Sequence, residues 1–95
     1  MNQKLDEIKR KATPVLVKEG VIRSSIFGSY VRGDNTENSD VDMLVELPKG
    51  KSLIDLVRLQ RNLSLVLDRK VDLLTYNSIS PLLKDQIQRD QVQII

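Results

Sequence analysis

Apolar residues first recur at helical spacing at Leu5, Ile8, Ala12, Val15 and Leu16, positions that share one face of a 3.6-residue repeat. Pro14 falls inside this stretch and leaves two arrangements open. One is a single helix kinked at Pro14. The other breaks at Thr13, which then caps a second short helix with Pro14 at its first position. Gly20 suits the helix end in either case. Val21 to Phe27 is rich in β-branched residues and predicts a strand that stops at Gly28. Ser29 to Gly33 has room for one helical turn, and Asp34 to Ser39 is a polar loop. Val41 to Leu47 predicts a second strand, ended by Pro48-Lys49-Gly50.

Ser52, with Asp55 three residues on, is a variant of the capping box and opens a helix. Its apolar stripe runs through Leu53, Leu56, Val57, Leu63 and Leu67. Lys70 to Thr75 predicts a third strand. Ser80-Pro81 has the N-cap and first-position pattern of a last helix, with Leu82, Leu83 and Ile87 as its apolar face. Val92 to Ile95 suits a short terminal strand. This order predicts an α+β fold of α/β-like character: a small sheet with helices on one face and the other face open for a site. Residues 1–95 are expected to form a single domain, with no repeat, low-complexity segment or linker.

Composition narrows the chemistry. The 95 residues are 40% hydrophobic and 29% charged, a globular balance with a modest core. Aromatics are 3%, so Leu, Ile and Val must fill that core. There is no Cys and no His, which leaves acid–base or metal chemistry to carboxylates, hydroxyls, Lys and Arg. The net charge of +2 is spread along the chain, and the aromatics are Phe27, Tyr30 and Tyr76. Both observations argue against a nucleic-acid partner. No apolar run can span a bilayer, and the start, Met1-Asn2-Gln3-Lys4-Leu5-Asp6, is too polar for a signal peptide. A cytoplasmic protein without membrane contact is expected.

Four features between Gly28 and Asp42 carry chemistry. Gly28-Ser29 joins a strand to a helical turn, where glycine permits close backbone approach to a ligand and the turn favours anions. Ser29 adds a hydroxyl donor, although an ordinary strand-to-helix turn has the same pattern. Asp40 and Asp42, two residues apart at the start of a strand, point to one face while Val41, Met43 and Val45 point to the other. Carboxylates that close raise each other's pKa. A divalent cation removes the conflict, and an all-oxygen donor set favours Mg²⁺ or Mn²⁺. Asp72 interrupts the apolar run Val71, Leu73, Leu74, which makes it the best candidate for a third ligand; an exposed position on a half-open sheet remains the other reading. Arg32 reads equally as a guanidinium that binds phosphate or a carboxylate of the site and as a surface ion pair with Asp34 or Glu37. Gly33 is expected to end the turn at positive φ. Ser39 is placed to cap or orient the loop into Asp40. Asp55 and Asp68 read as surface helix charges.

Gly28-Ser29-Tyr30-Val31-Arg32-Gly33, followed by Ser39-Asp40-Val41-Asp42, resembles the signature of the DNA polymerase β-like nucleotidyltransferase superfamily and, within it, the minimal nucleotidyltransferase branch. The likeness spans Val21 to about Tyr76. It implies a mixed sheet with helices behind it and two metal ions bound by Asp40, Asp42 and Asp72. It also implies ATP as donor, with Asp72 as a candidate general base. Gly28, Ser29, Arg32, Gly33 and Ser39 are the implied nucleotide-binding positions. Many proteins of this branch are antitoxins of HEPN-domain toxins and transfer AMP to a tyrosine of the toxin, so the resemblance implies a hetero-oligomer. No segment is left for an acceptor-binding domain such as larger superfamily members carry, which favours an acceptor on a partner protein. Two other readings stand beside this one: a non-catalytic module that neutralises a toxin by contact, and a nucleotidyltransferase acting on RNA or a small molecule.

Overall fold

A computed structural model describes residues 3–36 and 39–95. Met1, Asn2, Glu37 and Asn38, and with them the Arg32–Glu37 pairing, lie outside the described residues. The described chain forms α1 (Gln3–Lys18), β1 (Arg23–Phe27), α2 (Ser29–Arg32), β2 (Val41–Glu46), α3 (Leu53–Leu67), β3 (Val71–Thr75), α4 (Pro81–Asp90) and β4 (Val92–Gln93), with a 3-10 turn at Tyr76–Ser78 after β3.

Pro14 lies inside α1, so the single-helix arrangement holds and the break at Thr13 does not. Thr13 caps nothing here, because its hydroxyl donates back to the Lys9 carbonyl at 2.6 Å. The sheet order is β3-β2-β1-β4. β2 runs antiparallel to β1, with Phe27 opposite Asp42, and parallel to β3, with Asp42 opposite Asp72. A parallel pair needs a crossover, and α3 supplies it. β4 pairs antiparallel with the other side of β1. This is the small α+β sheet that the pattern predicted, and it is mixed, as the resemblance implied.

Strand alternation decides which side chains meet the core. Val41, Met43, Val45, Val71 and Leu73 are buried and join Ile8, Ala12 and Leu16 of α1 with Leu59 and Leu63 of α3. Asp42, Asp72 and Phe27 alternate onto the opposite face. Two helix faces differ from expectation. In α3 the buried side is Leu59, Leu63 and Leu67, while Leu53 is 73% and Val57 60% exposed. The helix meets α1 and β3 along its later turns, and its first turn overhangs a surface groove that Leu53 helps to line. In α4, Ile87 is buried but Leu82 is 92% and Leu83 52% exposed.

The capping box is present at the start of α3. The Ser52 N–H donates to Asp55 Oδ2 at 2.8 Å. That backbone hydrogen bond is the main cause holding the Asp55 carboxyl below its ordinary value of 3.8. A lowered folded-state pKa gives stability that is present above the ordinary value and lost as pH falls through the folded one. Asp55→Ala should therefore lower the melting temperature slightly at neutral pH, and the difference should close in acid. A thermal melt series against pH measures this.

Candidate active site

β1 ends by delivering Gly28 against the first carboxylate of β2. Gly28 has φ 83° and ψ −151°, a backbone region that is essentially restricted to glycine. Space imposes the same choice. A Cβ built at Gly28 collides with the Asp42 carboxylate oxygen and stands 3.2 Å from its carboxyl carbon. The chain then turns at once into α2, where the Val31 and Arg32 N–H groups donate to the Gly28 carbonyl at 3.1 and 3.2 Å. Gly33 closes the turn at φ +82°, as expected, with its N–H donating to the Ser29 carbonyl at 2.9 Å.

Tyr30 fastens this turn to the body of the protein. It is 1% exposed and belongs to the core. Its hydroxyl makes a long 3.4 Å hydrogen bond to the Ser39 carbonyl. Ser39 Oγ in turn accepts from the Thr36 N–H at 2.8 Å. The two halves of the motif are thus tied together, and Ser39 shapes the loop into Asp40 as the sequence reading anticipated.

The carboxylates gather at the N-terminal ends of β2 and β3. Asp42 and Asp72 are register partners on adjacent parallel strands, so both project from the same face. Burial pushes the Asp42 carboxyl above its ordinary value of 3.8; the charges of Asp72 and Asp40 push it further, and Arg32 opposes them. Asp40 precedes β2 and is 3.8 Å from Lys70 Nζ. Arg32 makes an exposed ion pair with Asp34 at 3.5 Å, and its charge also acts on Asp42. Asp55 sits in its cap, and Asp68 ends α3 in a left-handed conformation.

These residues fit a divalent cation. Gly28 lets the backbone lie directly against the Asp42 carboxylate, which a side chain there would displace. Asp42 and Asp72 oppose each other's charge, which a cation relieves, and the donors are all oxygen, as Mg²⁺ prefers. Among the described residues no three acidic side chains are already gathered as a metal-holding group. Asp40 faces Lys70 Nζ at 3.8 Å.

Size does not locate the chemistry. An open groove of about 820 Å³ lies at the C-terminal ends of β2 and β3, among Leu53, Leu74 and Tyr76, at the opposite end of these strands from Asp42 and Asp72. There Arg23 stacks on the Tyr76 ring at 4.0 Å, and the Tyr76 hydroxyl reaches across the sheet to Ser25 Oγ at 2.9 Å. Asp42, Gly28 and Arg32 instead line a smaller pocket of about 220 Å³, whose other wall is α4 with Gln86 and Asp90. Sequence reasoning missed that wall. The signal available was Asp90 itself, an acid in the last turn of a helix, where the macrodipole favours a cation.

A glycine pressed against an aspartate, a short turn behind it, and a second aspartate in register on a parallel strand are brought together at one end of the sheet. The chain belongs to the nucleotidyltransferase domain family, whose model matches residues 4–93, and within it to the minimal nucleotidyltransferases. A relative from Methanocaldococcus jannaschii, provisionally named a protein adenylyltransferase, is 57% identical over 96% of this chain and 98% of its own. A solved structure, provisionally described as a minimal nucleotidyltransferase, is 30% identical with a TM-score of 0.81, covering 97% of this chain and 95% of that one. A crystal structure of a toxin–antitoxin with AMP-PNP is 28% identical with a TM-score of 0.79, covering 92% of this chain and 72% of that one. The protein is an enzyme of this class.

Proposed function

We propose that this protein transfers AMP from ATP to a tyrosine hydroxyl of a HEPN-type toxin and so acts as the antitoxin of the pair. The observation that carries the chemistry is the register of Asp42 opposite Asp72 with Gly28 held against Asp42. The choice of a protein acceptor rests on the motif resemblance, on the protein adenylyltransferase name of the 57% identical relative, and on the likeness to a toxin–antitoxin structure with AMP-PNP. Residues 1–95 act as one nucleotidyltransferase domain, and the acceptor side is completed by the partner in a hetero-oligomer. No described helix is long and apolar enough to cross a membrane; the reading places the reaction in the cytoplasm, with its ATP.

Each residue has a stated part. The turn after Gly28, with the Ser29 hydroxyl and the Arg32 guanidinium, holds the β- and γ-phosphates. Gly33 ends that turn so that Arg32 stays beside the triphosphate, and Ser39 keeps the loop that presents Asp40. Asp40, Asp42 and Asp72 would hold two Mg²⁺ ions, with Mn²⁺ as a substitute, and ions bound there would offset the charge of the triphosphate and lower the pKa of the acceptor hydroxyl. The acceptor oxygen bonds to the α-phosphorus in line, the bond from that phosphorus to the bridging oxygen breaks, and pyrophosphate leaves. The hydroxyl proton passes to the Asp72 carboxylate. Positioning and charge do the work, and neither His nor Cys is required.

The test uses ATP labelled at either the α- or the γ-phosphate, incubated with the protein, Mg²⁺ and its HEPN partner. Label from the α-position should appear on the partner and γ-label should not. Asp72→Asn should lower transfer by about 10²-fold or more, as expected for loss of a general base. Label on RNA with none on protein would transfer the reading to an RNA acceptor. Neutralisation that survives without any transfer would favour the contact module.

A further inference from the structure

Four residues of α4, Leu83, Gln86, Ile87 and Asp90, face the pocket that holds Gly28, Arg32 and Asp42. Their spacing of three, four and seven residues puts them on one side of the helix, in an apolar row and a polar row. Ile87 is buried, and Asp90 is half-buried at the helix's last position. Phe27 closes the pocket from β1. At about 220 Å³ it is smaller than the roughly 300–1,000 Å³ of a whole small-ligand site. It suits one part of a nucleotide.

The charge of Asp90 selects which part. A carboxylate only accepts hydrogen bonds, and beside a polyphosphate it repels. Its helix position is unfavourable as well, since the last turn disfavours an acid. An acid there is useful when it faces uncharged donors. The ribose offers two hydroxyl donors next to the α-phosphate, and Phe27, Leu83 and Ile87 offer apolar contact around it. The geometry points to Asp90 as the residue that holds the ribose hydroxyls of the nucleotide, with α4 forming the sugar side of the donor site. This assignment rests on the nucleotidyltransferase reading above and adds a specificity-determining residue to it.

Calorimetric titration of the protein with Mg²⁺ and either ATP or 2′,3′-dideoxy-ATP tests it. The wild type should bind ATP about tenfold or more tightly than the dideoxy analogue, the scale of a hydrogen bond to a charged group. Asp90→Ala and Asp90→Asn should weaken ATP binding and leave dideoxy-ATP binding unchanged, so that the two affinities converge. Wild-type discrimination that persists in both variants would overturn the assignment while the donor-site reading stands. So would equal binding of the two nucleotides by the wild type. A wild type that binds neither nucleotide would overturn both.

Discussion

Asp42→Asn should lower AMP transfer by about 10³-fold or more, the scale of several kcal/mol of lost charge stabilisation, and leave the fold intact. Asparagine has the same shape and keeps the contact with Gly28, so the packing around position 42 is undisturbed. What it removes is the charge. The direction of the stability change separates this from simple damage. Burial, Asp72 and Asp40 together hold the Asp42 carboxyl above 3.8. A raised carboxyl pKa means that the folded state binds its proton more tightly than the unfolded chain does. In the metal-free protein, stability is therefore lost as pH rises from 3.8 through the folded value. Asp42→Asn escapes that loss. It should melt at or above the wild-type temperature at neutral pH, with the two converging below pH 3.8. A variant that is inactive and also melts well below the wild type at neutral pH would contradict this account of Asp42.

Gly28→Ala should damage both the fold and the reaction. Its backbone at φ 83° and ψ −151° lies in a region where a side chain costs about 1–3 kcal/mol. The new methyl must also displace the Asp42 carboxylate that it would strike. For a domain of this size each kcal/mol is roughly 4–8 °C of melting temperature, so a clear fall should appear in a thermal melt. Activity should fall by about 10²-fold or more, because a misplacement near 1 Å at a reacting centre costs that much. An alanine variant with wild-type melting and transfer would show that position 28 has no part in shaping the site.

Most of the fold was readable from periodicity, since strands of alternating or continuous apolar residues and N-capped helices leave local marks. The motif residues were equally readable: Gly28, Gly33 and Asp42 stand where their backbone and spacing demanded. The partnership of Asp42 with Asp72 depended on which strands pair and in what register, and no local pattern encodes that. Helix faces were the weakest reading. Leu53, Val57 and Leu82 are apolar at helical spacing yet exposed, because only the tertiary placement of α3 and α4 decides which part of each helix is covered. For the same reason α4 was read as a packing helix, although Gln86 and Asp90 form a wall of the pocket beside Asp42. Tyr30, to which the sequence reading gave no role, is the buried anchor that ties Gly28-Ser29 to Ser39-Asp40.

The most direct measurement is the intact mass of a HEPN partner after incubation with this protein, ATP and Mg²⁺, followed by mapping of the modified peptide. The account predicts a gain of whole AMP units on a tyrosine, present with the wild type and absent with Asp42→Asn. A partner whose mass never changes, and which wild type and Asp42→Asn neutralise equally well, would contradict it.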